Sequence, residues 1–367
     1  MLLSSVHFKN YGTLDDLELH FTQGMNVLFG VNGTGKTIIL HALKDVLNAL
    51  SFPKAGRTAL QSFSQRAERF GSDYRIQTTL EGSSGRYIVQ CTAQGIGAAL
   101  EDEAPDKDSA PREPRVVSIL AGKKDIPFAR VKTRFARLEN LEQRERQKNK
   151  DYRDPVLERI RTSIAQIAPY LQNPHIEQER EGHPLCVEKN GASLDVASDL
   201  SHGESFLVGI LAHIALEMDT ALRASKDTIV LIDSPEACLH PLWQMQLCPL
   251  LKKVFPEAQF VLASHSPFMW ASLDRREIVW LDYNEAGNIA QKPAAFARGA
   301  SIENILASFF QVPGAVDEAA CEITVIETLL EQGNAEEAQK AIAALRGKFG
   351  EIPALSMLDF RLQLLKN

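Results

Sequence analysis

Eight consecutive residues, Gly30-Val31-Asn32-Gly33-Thr34-Gly35-Lys36-Thr37, fit the phosphate-cradling pattern G-x-x-x-x-G-K-[ST] without a gap. Such a loop works only when a strand delivers it and a helix receives it, and both flanks qualify. Residues 25–29 are a short apolar run of buried-strand type, and residues 38–50 carry apolar side chains at helical spacing. Strand, loop and helix together turn successive backbone N–H groups and the positive end of a helix dipole onto one anion. Asn32, Gly33, Thr34 and Gly35 would form the cradle. Lys36 would reach the β- and γ-phosphates, and the Thr37 hydroxyl would ligate Mg²⁺. The chain is therefore expected to bind a nucleoside triphosphate, and to be an α/β protein.

Bulk properties narrow the class. A chain of 367 residues that is 44% hydrophobic and 24% charged can bury a full core without covalent staples. No apolar stretch approaches the roughly 20 residues of a membrane span, and the N-terminus lacks the pattern of a signal peptide. Cys91, Cys186, Cys238, Cys248 and Cys321 are scattered and odd in number, which reads as reduced core thiols in a cytoplasmic protein. The net charge of −7 argues against wholesale coating of nucleic acid but allows a local basic track.

Along the chain, residues 6–12 and 17–21 read as paired strands before the glycine loop, with further strands at 74–80, 86–91 and 116–120. Residues 101–114 are acidic, proline-rich and nearly free of large apolar side chains, so they read as an exposed loop. Residues 128–167 turn helical and strongly charged, with Arg130, Lys132, Arg134, Arg137, Arg144, Arg146, Lys148, Lys150 and Arg153 outnumbering the acidic side chains among them. That stretch is either a solvated helix face or a basic surface for DNA or an acidic partner. After Pro313, two or three helices follow, with Gly333-Asn334 as a stop between two of them. They either pack on their own domain or dock a partner.

Three later motifs choose among nucleotide-binding classes. Residues 227–233 are an apolar strand ending in Asp233, whose carboxylate would face the Mg²⁺ opposite Thr37. Upstream lies Leu200-Ser201-His202-Gly203-Glu204-Ser205, opening an apolar helix, where Ser201 and the Gly203 amide would form a second phosphate cradle at a helix N-terminus. Downstream, residues 260–263 run apolar into Ser264-His265-Ser266-Pro267. In this order and spacing the motifs resemble the Walker A, signature (L-S-x-G-E), Walker B and switch-histidine segments of ATP-binding-cassette ATPases. The string Asp233-Ser234-Pro235-Glu236 with Leu239-His240-Pro241 resembles the D-E-P-E-x-x-L-H-P form of the soluble RecF, SMC and OLD-like group. The opening Phe8-Lys9-Asn10-Tyr11 and the helical close resemble stand-alone ATPases of Septu and retron anti-phage systems.

The resemblance implies an ATPase head with a mixed central sheet, an antiparallel β subdomain and a helical insertion. Expected divisions are an N-terminal lobe at 1–127, the charged insertion at 128–176, a C-terminal lobe at 177–312 and a helical segment at 313–367. It also implies ATP and Mg²⁺ as ligands, with Ser201, Gly203 and Glu204 contributing to the nucleotide of an opposite subunit. The assembly would then be a homodimer or a higher even-numbered oligomer. Asn10 and Tyr11 are candidates to contact the base, and the glutamine loop should fall near residues 118–125, which contain no glutamine.

One position departs from the group. The residue directly after the Walker B aspartate is normally a glutamate that orients the attacking water, and here it is Ser234. Either Glu236 or His265 takes that task beside Asp233, or hydrolysis is slow; slow hydrolysis is the favoured expectation. Asp274, Asp282 and Glu285 lack the pairing of a Toprim nuclease, so an effector such as a nuclease should be a separate protein.

Overall fold

The computed structural model describes residues 2–51, 73–82, 85–92, 95–100, 115–120, 122–218, 228–294, 298–309, 318–351 and 353–366. The acidic stretch at 101–114 and Asp227 lie outside these residues. Strands are β1 (Leu2–Tyr11), β2 (Leu14–His20), β3 (Met25–Phe29), β4 (Arg75–Gly82), β5 (Gly85–Thr92), β6 (Gly95–Leu100), β7 (Arg115–Ile119), β8 (Gln172–Ile176), β9 (Leu185–Lys189), β10 (Ala192–Asp195), β11 (Thr228–Asp233), β12 (Ala258–Ala263), β13 (Ile278–Tyr283) and β14 (Ile289–Lys292). Helices are α1 (Lys36–Ser51), α2 (Phe128–Lys148), α3 (Pro155–Ile167), α4 (His202–Met218), α5 (Pro241–Val254), α6 (Pro267–Trp270), α7 (Ile302–Phe309), α8 (Glu318–Glu331), α9 (Ala335–Phe349) and α10 (Pro353–Lys366). The chain divides into two units, residues 1–300 and 301–367.

The site is organised by a six-stranded sheet of order β14-β13-β3-β12-β11-β7, parallel except for the β13–β14 pair. Every residue of β3, β11 and β12 is buried, which accounts for their unbroken apolar runs: a strand covered on both faces needs no alternation. Register sets Leu28 of β3 and Asp233 of β11 on either side of Ala263 of β12. The three strands therefore leave the sheet along one edge, carrying the glycine loop, the Asp233 strand end and His265.

A second, antiparallel sheet of order β2-β1-β4-β5-β6 shares a core with α1, in which Phe8, Leu17 and Ile76 accompany Leu40, Leu43 and Leu47. Gln259, fully buried in β12, ties the sheets together: it accepts from Leu3 N–H at 2.7 Å and donates to the Leu3 and Thr22 carbonyls, each at 2.7 Å. A third small sheet, β10-β9-β8, lies between α3 and α4 in the chain. Cys91, Cys186, Cys238 and Cys248 are free thiols. Among the described residues no helix is long and apolar enough to cross a membrane.

The charged stretch at 128–167 is two helices whose polar side chains are partly spent internally. Glu142 of α2, 2% exposed, takes both Arg161 guanidinium nitrogens (2.9 and 2.8 Å) and the Asp154 N–H (2.9 Å). Asp154 in turn caps α3 by accepting from Val156 and Leu157 N–H. Arg130 and Arg134 pair with Glu217 at 3.0 and 2.9 Å.

In the 301–367 unit, which also holds α7, the successive helices α8, α9 and α10 surround a core of Ile326, Leu330, Ile342, Leu345, Leu355 and Leu358. Gly333 (φ 75°) ends α8 in the left-handed region, so its N–H and that of Asn334 return to the Leu330 and Leu329 carbonyls.

Candidate functional site

The glycine loop bridges β3 and α1 as its spacing requires. Gly35 sits at φ 76°, and a Cβ there would meet Leu14 Cδ2 at 2.8 Å, so only glycine fits. Asn32 and Gly33 are exposed at the tip, while the Thr34 side chain is buried and donates to the Val31 carbonyl at 3.0 Å. Thr37 is exposed on the first turn of α1, a 16-residue helix whose N-terminus faces the loop. Lys36 is only 5% exposed; its Nζ donates to the Gly30 carbonyl (2.8 Å), the Val31 carbonyl (3.0 Å) and Thr34 Oγ1 (3.3 Å). Burial pushes its pKa down to about 8, against the opposing pull of the Asp233 and Glu236 carboxylates.

Those carboxylates arrive from β11. Asp233 is 9% exposed at the strand end. Ser234 follows in the left-handed region (φ 48°), its N–H bonded to the Ala263 carbonyl at 2.9 Å and its hydroxyl donating to Asp233 Oδ1 at 3.0 Å. A non-glycine residue held there is strained by roughly 1–3 kcal/mol, which surrounding structure must sustain. The backbone then forms a 3₁₀ turn, Pro235–Cys238, that brings Glu236 back under the sheet edge. Its Oε1 accepts from the His265 N–H at 2.6 Å, whereas Oε2 is buried without a hydrogen-bond partner. Burial, and then the neighbouring Asp233 charge, raises the Glu236 pKa. The His265 imidazole is exposed, and its pKa is lowered by desolvation and by Lys36, with Asp233 opposing. Lys36, Asp233, Glu236 and His265 thus share one electrostatic neighbourhood. A hydroxyl such as that of Thr37 and a carboxylate such as that of Asp233 are oxygen donors of the kind Mg²⁺ takes alongside phosphate and water, and these two would hold it.

The second cradle is built differently. Ser201 precedes α4 and forms a reciprocal capping box with Glu204: Ser201 N–H and Oγ donate to Glu204 Oε2 at 3.1 and 2.8 Å, and Glu204 N–H donates to Ser201 Oγ at 3.3 Å. Glu204 Oε1 accepts from Lys189 Nζ at 2.7 Å. Burial would raise the Glu204 pKa, but the Lys189 and Ser201 bonds more than offset it and leave it lowered. Both Glu204 oxygens therefore serve its own chain, fixing the helix start. Gly203 is required by packing, since a Cβ would lie 2.4 Å from the Cys238 carbonyl oxygen. A pocket of about 500 Å³ opens here, lined by Tyr170, Ser201, Gly203, Glu204, Cys238, His240 and Trp243.

Tyr11 does not sit where a base could stack. It is 2% exposed, packed between Phe8 and Tyr74 in the core that α1 shares with the antiparallel sheet. Residues 118–120 and 122–125 form the end of β7 and a 3₁₀ turn in which Asp125 Oδ2 accepts from Leu120 N–H at 2.7 Å. Motif reading does not include Gln244 and gives Ser264 and Ser266 no role of their own, yet the three brace the site. Ser266 before Pro267 and His240 before Pro241 carry the one available signal, since each caps a helix with proline at its first position.

Comparison with known proteins identifies the family. Residues 25–269 match the family described as "AAA domain, putative AbiEii toxin, Type IV TA system". The chain is 34% identical to the Retron Ec83 probable ATPase of Escherichia coli over 143 residues, which are 38% of this chain and 26% of that protein. It is 19% identical to the Septu protein PtuA of Bacillus thuringiensis over 327 residues, covering 79% of this chain and 78% of that one. The match to the retron protein thus spans about a quarter of that relative's length. In fold, the chain is similar to an SMC head crystallised with the C-winged helix domain of ScpA, with TM-score 0.54 and 14% identity, covering 80% of this chain and 98% of that one.

Proposed function

This chain belongs to that AAA-domain family and has an SMC-head-like, ABC-type fold, and from this premise we propose that it is an ATP-driven switch controlling a partner effector. Two copies close head to tail around two ATP molecules. Each nucleotide is held by Asn32, Gly33, Thr34, Gly35, Lys36, Thr37 and Asp233 of one copy and by Ser201 and Gly203 of the other. Mg²⁺, held by Thr37 and Asp233, supplies charge neutralisation at the β- and γ-phosphates. The observation that carries this reading is that the pocket at Ser201 takes none of its lining from the glycine loop. One chain holds two phosphate-binding devices with separate walls, and a second copy lets each nucleotide use both. ATP then favours the closed state by the interface contacts it adds.

Ser234 spends its hydroxyl on Asp233, which supports slow turnover and a long-lived closed state. Likeness to retron and Septu proteins supports an anti-phage role with a nuclease as effector. The alternative, a RecF- or SMC-like DNA-binding ATPase in repair, has less to rest on, because Arg130, Arg134 and Arg161 of the basic stretch are engaged by Glu217 and Glu142. The test is molar mass in solution by light scattering, with and without ATP and Mg²⁺. Mass should double with nucleotide, and Lys36→Ala and Ser201→Arg should each prevent it. Identical mass in both conditions, together with no nucleotide-dependent change in protease sensitivity, would remove the switch.

A further inference from the structure

Gln244, in the first turns of α5, belongs to no nucleotide motif, yet its side chain is bonded in three directions. Nε2 donates to the carbonyl oxygens of Glu236 (3.2 Å) and Leu239 (2.8 Å), and Oε1 accepts from the Ser266 hydroxyl at 2.6 Å. The chemistry fixes the orientation of this amide. Two carbonyls can only accept, and Ser266 Oγ, which already accepts from Phe268 and Met269 N–H, has its proton free to give. Ser266 N–H bonds Ser264 Oγ at 3.0 Å, so the segment on both sides of His265 is pinned.

One side chain thus joins the turn carrying Glu236 to the strand end carrying His265. The same two segments meet again where Glu236 Oε1 accepts the His265 N–H. The other carboxylate oxygen, Oε2, is buried and has no hydrogen-bond partner, while the residue as a whole is only half-buried. We propose that Gln244 is the positioning residue of a relocated hydrolytic site: it holds Glu236 so that this carboxylate, third after Asp233, does the work for which Ser234 lacks the group. The proposal rests on the ATPase reading of this chain and adds which residue receives the proton and what holds it there. Water oxygen bonds to the γ-phosphorus as the bond to the β–γ bridging oxygen breaks. ADP leaves with that oxygen and its electron pair, and the proton of the water passes to the Glu236 carboxylate and on to the departing phosphate.

The test uses the full chain and pairs ATP affinity with single-turnover hydrolysis for wild type, Gln244→Ala, Gln244→Glu, Glu236→Gln and the Gln244→Ala/Glu236→Gln double variant. Gln244 touches no glycine-loop residue among its bonds, so ATP affinity should stay within about twofold while the rate of Gln244→Ala falls at least about tenfold. Glu236→Gln should lose roughly a hundredfold or more, and the double variant should be no slower than Glu236→Gln alone, because the brace acts only through the carboxylate. Gln244→Glu keeps the acceptor for Ser266 but loses the donor to both carbonyls, so its rate should also fall at least about tenfold below wild type at unchanged ATP affinity, which keeps the test decisive if the alanine variant is poorly folded. Losses that multiply in the double variant, or an unchanged rate in Gln244→Glu, overturn the proposal while leaving the switch intact. A wild type that binds ATP without turnover, or a Glu236→Gln chain as fast as wild type, overturns it likewise. A wild type that binds no ATP removes the switch itself.

Discussion

A lysine that hydrogen-bonds its own loop has been taken most of the way out of water before any phosphate arrives. With its pKa near 8, Lys36 is charged below that pH, and above it becomes increasingly neutral in the free protein. Triphosphate oxygens favour the charged form, so above about pH 8 binding must take up a proton. Affinity for ATP should therefore be flat below pH 8 and weaken towards about tenfold per pH unit above it. Calorimetry at pH 9 in two buffers of different ionisation enthalpy should show the proton uptake directly. Equal heats in both buffers would contradict it. At this scale the sequence is most legible where chemistry permits few substitutes. The eight-residue loop is read directly from its spacing, whereas the reciprocal bonds of Ser201 and Glu204 appear only in the structure, the sequence having marked the pair for a nucleotide. Gln244 was not legible, because its three partners come from the turn before α5 and from the far end of β12. A glutamine in a helix announces nothing until those neighbours are present. Tyr11 misleads for the opposite reason: an aromatic beside a nucleotide strand invites a stacking role, but the adjoining core claims its ring.

Among the elements, pattern locates β3, α1, β11 and the C-terminal helices well, because β3 and β11 are unbroken buried runs and the helices carry apolar spacing with a Gly-Asn stop between two of them. What it misses is how charge is spent within α2 and α3. Counting signs along residues 128–153 gives a basic face, yet Glu142 at 2% exposure is the pivot that binds Arg161 and the Asp154 N–H. Removing it leaves a partly buried guanidinium with only a long 3.9 Å pairing to Glu158, and strands the N–H of the residue that caps α3. Breaking such a pair from one side costs about 3–5 kcal/mol when fully buried, and the 25% exposure of Arg161 places the expectation for Glu142→Ala nearer about 2–3 kcal/mol. Denaturant titration should show a lower midpoint at unchanged slope; a loss under about 1 kcal/mol would mean the pair is solvated in practice. By contrast, Lys148→Ala, which breaks only an exposed pair with Glu145, should stay within about 0.5 kcal/mol.

For the whole molecule, the division into units at 1–300 and 301–367 carries its own expectation. All the proposed nucleotide contacts lie in the first unit, and each unit has its own apolar core. A chain ended at Ala300 should keep ATP affinity within about threefold and still unfold cooperatively, as separately cored domains do. Loss of binding with an intact melting transition would show that the helical unit completes the site. Long-range pairing also has a consequence in time. The loop strand β3 has β12 and β13 as its only sheet neighbours among the described residues, and both lie far downstream in the chain. A ribosome adding 5–20 residues per second needs on the order of ten to fifty seconds to make that stretch. Until β12 and β13 have emerged, the glycine loop hangs from an unpaired strand. A half-made copy then has no rigid cradle for ATP, and a nascent chain cannot enter an assembly before residues 258–283 have been made.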